Sequence, residues 1–393
     1  MKRTVLSLLF FLAAGLVLLA APAFAEEPVP LTQPLNGYFA YGKLSGATAE
    51  EAVSGSVAAT TVPMGAYTVS SSRDGNVYTG VVIGRSPLNH GSRTTNVPVF
   101  IVPVKVRMAD GVVFNPGAAD SNCLGGKVPS TVMSNSPLFK PAAFTMNGVG
   151  VGTTQYIDAF QRAEFWQNLS VTGNRYHVML NPVTVLPEQT FSPTSSEGNA
   201  FSAGSCGHLG IMDINVWDNF VQGTLVPFVA ANGGGTTAFP IFLLYNVVMA
   251  NPYVPGTDRN CCILGYHSSF IAGGDVQTYG VGDFDSNGAF AGTSDTSALS
   301  HEVGEWMNDP LGGNPTPGWT GGQVTGSQCN FEVGDPLSGT FFPTVPLSGF
   351  NYHLQELAFF SWFYGAPTLG SGGKFSDNGT FTSDAGAPLS CFF

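Results

Sequence analysis

Residues 297–310, Ser-Ala-Leu-Ser-His-Glu-Val-Gly-Glu-Trp-Met-Asn-Asp-Pro, constrain the fold more than any other stretch of the chain. The spacing predicts a helix over Ser297–Asn308. Asp309-Pro310 stops it, because proline lacks an amide hydrogen and clashes with the preceding turn. At about 100° per residue, His301 and Glu305 fall on one face, one turn apart, flanked by Ala298, Gly304 and Asn308. Leu299, Val303, Trp306 and Met307 gather on the opposite face. Such a helix has an apolar back that belongs on a core, and a front carrying two ligand-capable groups. Its small neighbours leave space there for an ion, a water and a substrate strand.

The spacing has a chemical meaning. Zinc takes imidazole nitrogen and carboxylate oxygen at about 2.0–2.2 Å, and ligands at i and i+4 reach one ion with little distortion. In HExxH metallopeptidases the glutamate after the first histidine is the general base for water. Glu302 stands at that place, and Glu305 stands where the second histidine would be. Two carboxylates near one ion make the site more anionic and favour a harder metal. A third ligand is expected from Asn330-Phe331-Glu332-Val333-Gly334-Asp335, with Glu332 the first choice and Asp335 the second. His267, in Gly265-Tyr266-His267-Ser268-Ser269 at a strand end, is either a further ligand or a group that polarises a substrate carbonyl. The competing reading is a surface His–Glu pair on a helix, worth roughly a few tenths of a kcal/mol.

Composition sets the surroundings of this helix. Gly occurs 50 times and Pro 27 times, charged residues make up 10% and hydrophobic ones 44%. That suits a β-rich, loop-rich exported protein with an ample core. The chain opens with Met1-Lys2-Arg3, runs apolar from Val5 to Ala21, and reaches Ala23-Phe24-Ala25 before Glu26-Glu27. A basic start, an apolar stretch and a small-x-small end predict a signal peptide over residues 1–25, and a secreted or periplasmic protein. The later apolar run Phe239–Met249 has core-strand length and is too short to span a bilayer. Removing Lys2 and Arg3 from the 14 basic residues leaves 12 against 26 acidic, a net of −14. That excludes a general nucleic-acid binder and disfavours docking on anionic lipid. Six cysteines, Cys123, Cys206, Cys261, Cys262, Cys329 and Cys391, allow up to three disulfides in an oxidising compartment. The adjacent Cys261 and Cys262 are expected to pair with separate partners.

The expected fold class is α+β. Residues 26–65 read as a loosely structured lead-in. Strands are expected at 67–70, 77–83, 97–106 and 112–114, with Pro98 and Pro103 marking edge or bulge positions. Together 26–125 form a β-rich N-terminal region, and 126–393 a larger α/β region. Helices are predicted over 153–168, 212–221, 297–308 and 352–364, and buried strands over 239–249 and 263–266. Asp283-Phe284-Asp285-Ser286-Asn287-Gly288 matches the front of a calcium loop, but Ser294 stands where the loop's glutamate belongs. A turn is the leading reading and a structural calcium site the lesser one. His353 and Glu356, i and i+3 on the last predicted helix, read as core rather than a second metal pair.

The pattern SHExxEWxNDP, followed by a Trp-containing loop and C-N-x-E-V-G-D, resembles the zincin-like domain of bacterial secreted HExxE proteins. It is distantly similar to the exordium/phosphate-induced secreted proteins of plants, which carry an HELxE segment followed by an E-x-x-D-x-C stretch. The likeness covers about residues 263–336. It implies that 126–393 is a zincin-like domain with an active-site helix, that His301, Glu302, Glu305 and Glu332 take the motif roles, and that His267 stands in the preceding Gly-Tyr-His segment. The expected function is that of a zinc metallopeptidase cleaving a peptide or protein substrate. The alternative is a non-enzymatic extracellular binding or matrix protein on an inactive scaffold of the same type. A glycosidase using Glu302 and Glu305 is a poor third, since adjacent turns of one helix do not place two carboxylates across a glycosidic bond.

Overall fold

The structure is a computed structural model that describes residues 29–31, 35–42, 60–89, 92–170, 174–365 and 368–391. The expected signal peptide over residues 1–25, much of the lead-in and His90 lie outside the described residues. After a two-residue strand at Val29–Pro30 come β1 (Tyr38–Tyr41), β2 (Met64–Ser70), β3 (Val77–Ile83) and the long β4 (Thr94–Arg107). Helix α1 (Tyr156–Glu164) precedes β5 (His177–Val185), β6 (Gly198–Ser202) and β7 (His208–Asp213). Helix α2 (Ile214–Phe220) leads to β8 (Phe239–Tyr245), β9 (Val247–Ala250), β10 (Cys261–Ala272) and β11 (Asp275–Phe284). Then come α3 (Ser297–Asn308), the hairpin of β12 (Pro315–Gly321) and β13 (Val324–Asn330), and the short α4 (Phe360–Tyr364).

The fold is mixed α/β and built on one large sheet with the spatial order β6-β7-β9-β10-β11-β8-β4 through its middle. Both faces of that sheet are covered, and the strands show it. In β4, Val97, Val99 and Ile101 enter one core while Val102, Val104 and Val106 enter another. In β8, Phe239, Ile241 and Leu243 face the first core and Phe242 and Leu244 the second. Alternate residues point to opposite faces of a strand, so a strand buried on both sides reads as a continuous apolar run. Helix α2 and the turns after it cover the second face with Trp217, Val221 and Leu225. Helix α3 lies on the first face with Leu299, Val303, Trp306 and Met307, the four residues read from the sequence as its back. Trp306 stacks on Phe239 with ring centroids 3.6 Å apart, and its Nε1 donates to Thr278 Oγ1 at 3.0 Å. Each such buried side chain contributes roughly 1.5–3 kcal/mol, which fixes the helix against β10 and β11. The β2–β3 hairpin is tied to the loop after α3: Val81 N donates to Asn314 Oδ1 at 2.9 Å and Asn314 Nδ2 to the Val81 carbonyl at 2.6 Å. Residues on both sides of position 125 share the sheet, since β4 pairs in parallel with β8.

Several expectations need correction. The lead-in contains ordered strands, Val29–Pro30 paired with β6 and β1 paired with β10. The apolar run 239–249 is two strands, broken at Asn246, whose φ of 52° lies in the left-handed region. The helix expected from 212 begins at Ile214, after Asp213 accepts hydrogen bonds from Asn215 N and Val216 N. The helix expected over 352–364 is confined to Phe360–Tyr364. Residues 353–359 are extended and bridge to Phe341 and Ser376, because these tertiary hydrogen bonds outweigh local helix preference. The slip of register between Val97 and Val99 against β5 places Pro98 at an irregularity, whereas Pro103 sits inside the ladder opposite Leu243.

The cysteines form the pairs Cys123–Cys206, Cys261–Cys262 and Cys329–Cys391. The adjacent cysteines therefore pair with each other, across a cis peptide with Cα atoms 3.0 Å apart, and the other four satisfy one another. Three disulfides fit an extracytoplasmic, oxidising compartment. Among the described residues no helix is long and apolar enough to cross a membrane.

Candidate metal centre

Three elements converge on the middle of α3. His267 comes from the middle of β10, His301, Glu302 and Glu305 from α3, and Glu332 and Asp335 from the loop after β13. All six are buried, none more than 3% exposed. Every residue of α3 is buried as well, so the surface His–Glu pair is ruled out. The front of the helix is covered instead of open: the Phe39 ring stacks on His301 with centroids 3.7 Å apart and planes 19° apart.

Glu305 links two overlapping donor groups, His301/Glu302/Glu305 and His267/Glu305/Glu332, whose ligand atoms lie within 4.8 Å of one another in each group. Its Oε1 is 2.9 Å from His301 Nε2, and its Oε2 is 3.7 Å from His267 Nδ1. Asp335 Oδ1 is 3.5 Å from His301 Nε2, and Glu332 Oε2 is 3.9 Å from His267 Nε2. Glu302 Oε2 lies 3.2 Å from His267 Nδ1.

The histidines are held by their outer nitrogens. His301 Nδ1 meets Gln355 Oε1 at 3.0 Å, and Gln355 is itself oriented because its Nε2 donates to the Gly334 carbonyl at 2.7 Å. Nδ1 therefore carries the hydrogen, and Nε2 is turned toward Glu305 and Asp335. His267 Nε2 donates to the Asp309 carbonyl at 3.1 Å, which leaves the Nδ1 lone pair facing Glu302 and Glu305. An imidazole that donates its remote N–H to a carbonyl presents its other nitrogen in the form a metal takes.

The donor set fits a cation. His301 Nε2, Glu302 Oε1 and Glu332 Oε2 are buried without a hydrogen-bond partner, and buried polar atoms seldom go unsatisfied. The 2.9 Å contact of His301 Nε2 with Glu305 Oε1 lacks hydrogen-bond geometry. Two ligands of one zinc, at about 2.0–2.2 Å each, sit roughly 3.3–3.5 Å apart in a tetrahedral arrangement. Glu332 keeps one free oxygen while Asn330 Nδ2 holds the other at 2.6 Å. Both oxygens of Asp335 are engaged, by Gln323 and Gln328, so Glu332 is the better placed of the two.

The electrostatics agree. Burial pushes the Glu302 and Glu332 carboxyls well above the usual range and raises Glu305, since carboxylates taken out of water favour the neutral form. Burial pushes His267 down to about 3, with the charge of His301 adding to it and the Asp309 carbonyl opposing it. Burial also acts against protonated His301, yet Glu305, Asp335 and Glu302 outweigh it and hold that imidazole well above its ordinary value. The neutral His267 makes its contact with Glu302 a hydrogen bond, with protonated Glu302 the donor when no metal is bound.

Two glycines admit this packing. A Cβ at Gly334 would come 2.5 Å from His301 Nδ1, and one at Gly265 would come 2.9 Å from Glu302 Cγ.

The six site residues named from sequence are thus brought together. What escaped notice is their support: Gln355, the Asp309 carbonyl and Phe39. Asp309 was legible only as a helix stop, and Gln355 was hidden inside a helix that does not form. Replacing Gln355 with Met is expected to weaken metal binding about 10–100-fold with the fold intact, as read by competition against a chromophoric chelator.

The other sequence candidates lie elsewhere. Asp283 and Phe284 end β11, and the chain then turns, with Asp285 Oδ1 accepting from Asn287 N at 2.7 Å and Gly288 N at 3.2 Å. His353 Nδ1 pairs with Asp295 Oδ2 at 2.6 Å. Glu356 accepts from Ser376 and Thr380 hydroxyls, at 2.6 Å each.

Comparison of the chain with protein-family models, with curated proteins and with solved structures found no match.

Proposed function

We propose that the chain is an exported zinc-dependent hydrolase of zincin-like type that cleaves peptide bonds in peptide or protein substrates. One observation carries this reading: two buried imidazoles, their outer nitrogens anchored on carbonyl oxygens, turn their inner nitrogens toward the shared Glu305, beside Glu302 and Glu332, each with one orphaned oxygen. His301 and Glu305 from the helix and Glu332 from the loop would hold the ion, with Asp335 at the margin. His267 fits a ligand better than a carbonyl-polarising donor, because its N–H is committed to Asp309. Zinc, when bound, supplies Lewis acidity toward a carbonyl oxygen and lowers the pKa of a water. Glu302 is the proton-holding group: its Oε1 is unpartnered, and burial strengthens its grip on a proton, as a general base working near neutral pH requires.

A second reading, an inactive scaffold with a structural metal, draws support from the complete burial of the cluster.

The decisive experiment is metal analysis by mass spectrometry of mature protein purified without chelator or added metal, beside a His301→Ala/Glu305→Ala variant. About one zinc per chain, absent from the variant, is the expected result for a site of three or four protein ligands. No metal in either protein would sink the proposal.

A further inference from the structure

Strand β1 occupies an unusual place. Strand β9 pairs with β10 only at Cys261 and Ile263. From Ile263 to His267 that edge of β10 is taken by β1, running parallel. Gly42 N donates to the His267 carbonyl at 2.8 Å, and Cys262 N to the Asn36 carbonyl at 3.3 Å. On the far side of β1 a single side chain holds the backbone: Gln323 Oε1 accepts from Phe39 N at 2.8 Å, and Gln323 Nε2 donates to the Phe39 carbonyl at 3.0 Å. Phe39 stacks on His301, and the Tyr41 ring lies 6.5 Å from that of His267. A cleft of about 490 Å³ lies on one side of this strand, lined by Tyr41, Gly313, Gln323 and Asn330. Another of about 350 Å³ lies on the other, lined by Tyr38, Tyr41, Asp218 and Ser268. Tyr41 is common to both, so β1 is the wall between them.

Resting on the hydrolase reading above, we infer that the β10 edge from Ile263 to Ser268 is the subsite for an extended polypeptide, and that residues 35–42 are its resident, displaceable occupant. An exposed strand edge recognises an extended chain by main-chain hydrogen bonds and reads alternate side chains. Here the alternate side chains are Phe39 and Tyr41, both over the histidines. The preferred partner therefore carries a large aromatic residue at the position of Phe39 and a second one two residues later. The occupant blocks the site without offering a bond to cut. It sets a ring against His301, and its Phe39 carbonyl is engaged by Gln323. With β1 displaced, its place along the β10 edge opens between the two clefts, and the His301 ring loses the cover of Phe39.

The test uses a fluorescent synthetic peptide copying residues 35–42, the full-length mature protein, and a Phe39→Ala/Tyr41→Ala variant. The variant's own strand is weakened by the loss of two aromatic contacts. It is expected to bind the peptide about tenfold or more tighter than the parent and to release zinc to a chelator faster by a similar factor. A peptide with both aromatics replaced by alanine is expected not to bind. In the unmodified protein, the Gly42 amide is expected to exchange with solvent faster than amides of β11, because a displaceable strand opens without global unfolding. Equal peptide binding by parent and variant, or exchange at Gly42 as slow as in β11, would overturn the inference. Peptide binding and faster zinc release without cleavage of any peptide substrate would uphold the subsite and overturn the hydrolase reading alone.

Discussion

Replacing Glu302 with glutamine is expected to lower peptide hydrolysis by about 10²–10⁴-fold while zinc content stays at the parent level. The geometry makes this substitution unusually clean. Glutamine has the same shape, so it keeps the tight approach to Gly265, where a Cβ would come 2.9 Å from Glu302 Cγ. In the metal-free protein its amide can donate to His267 Nδ1, as the protonated carboxyl does across 3.2 Å. The Asp309 carbonyl still orients His267, and the donors His301, Glu305 and Glu332 are untouched. Only the capacity to take up a proton is removed. Activity assays on a peptide library and metal analysis of the same preparations check both halves. Parent-level hydrolysis in the variant would remove Glu302 from the role of base. A fall in activity matched by a fall in zinc would reassign it to holding the metal.

The metal-free protein is expected to lose stability as pH rises from 5 to 8, and zinc is expected to restore it most strongly at pH 8. Burial raises the folded-state values of Glu302, Glu305 and Glu332. The folded chain therefore binds protons more tightly than the unfolded one, and stability falls as pH climbs past the free glutamate value of about 4.3. His301, raised by its acidic neighbours, acts in the same direction above about 6.5. His267, pushed down to about 3, works the other way on the acid side of the free histidine value, one group against three. Metal ligands must be deprotonated to bind, so zinc and protons compete for the same atoms. Zinc at a thousand times its dissociation constant adds about 4 kcal/mol. Thermal melts at both pH values, with chelator and with zinc, measure this directly. Identical melts in chelator at the two pH values, with no response to zinc, would contradict it.

The metal-centre helix was readable because its pattern is local. A four-residue spacing, an apolar back and a proline stop all lie within residues 297–310. The order of β2, β3 and β4 was readable for the same reason, from runs of β-branched residues and the turn at Asp74-Gly75. What failed was long-range. Tyr38–Tyr41 is only four residues long, in Gly- and Ala-rich surroundings, and becomes a strand because β10 offers it an edge. Residues 353–359 look helical because Leu354, Leu357 and Ala358 recur at helical spacing ahead of an aromatic run, yet they are extended where neighbours from both directions hydrogen-bond to them. Gln355 could not be found from spacing, since its partner His301 is 54 residues away. The vicinal pairing of Cys261 and Cys262 follows from which partners the other four cysteines take, and that is a property of the assembled fold.

The bond between Cys329 and Cys391 spans 62 residues. Glu332, Asp335 and Gln355 all lie inside the covalent ring it closes. A loop of that size, once cross-linked, removes about 4 kcal/mol of freedom from the unfolded chain. The loop's share of the metal centre is thus staked down by oxidation rather than by packing alone. Chains kept reduced would present the helix donors with a slack counterpart. On the proposed reading, loading of the centre would then be a late event, timed to arrival in an oxidising compartment, so that the chain would acquire its metal where it is to work and not where it is made.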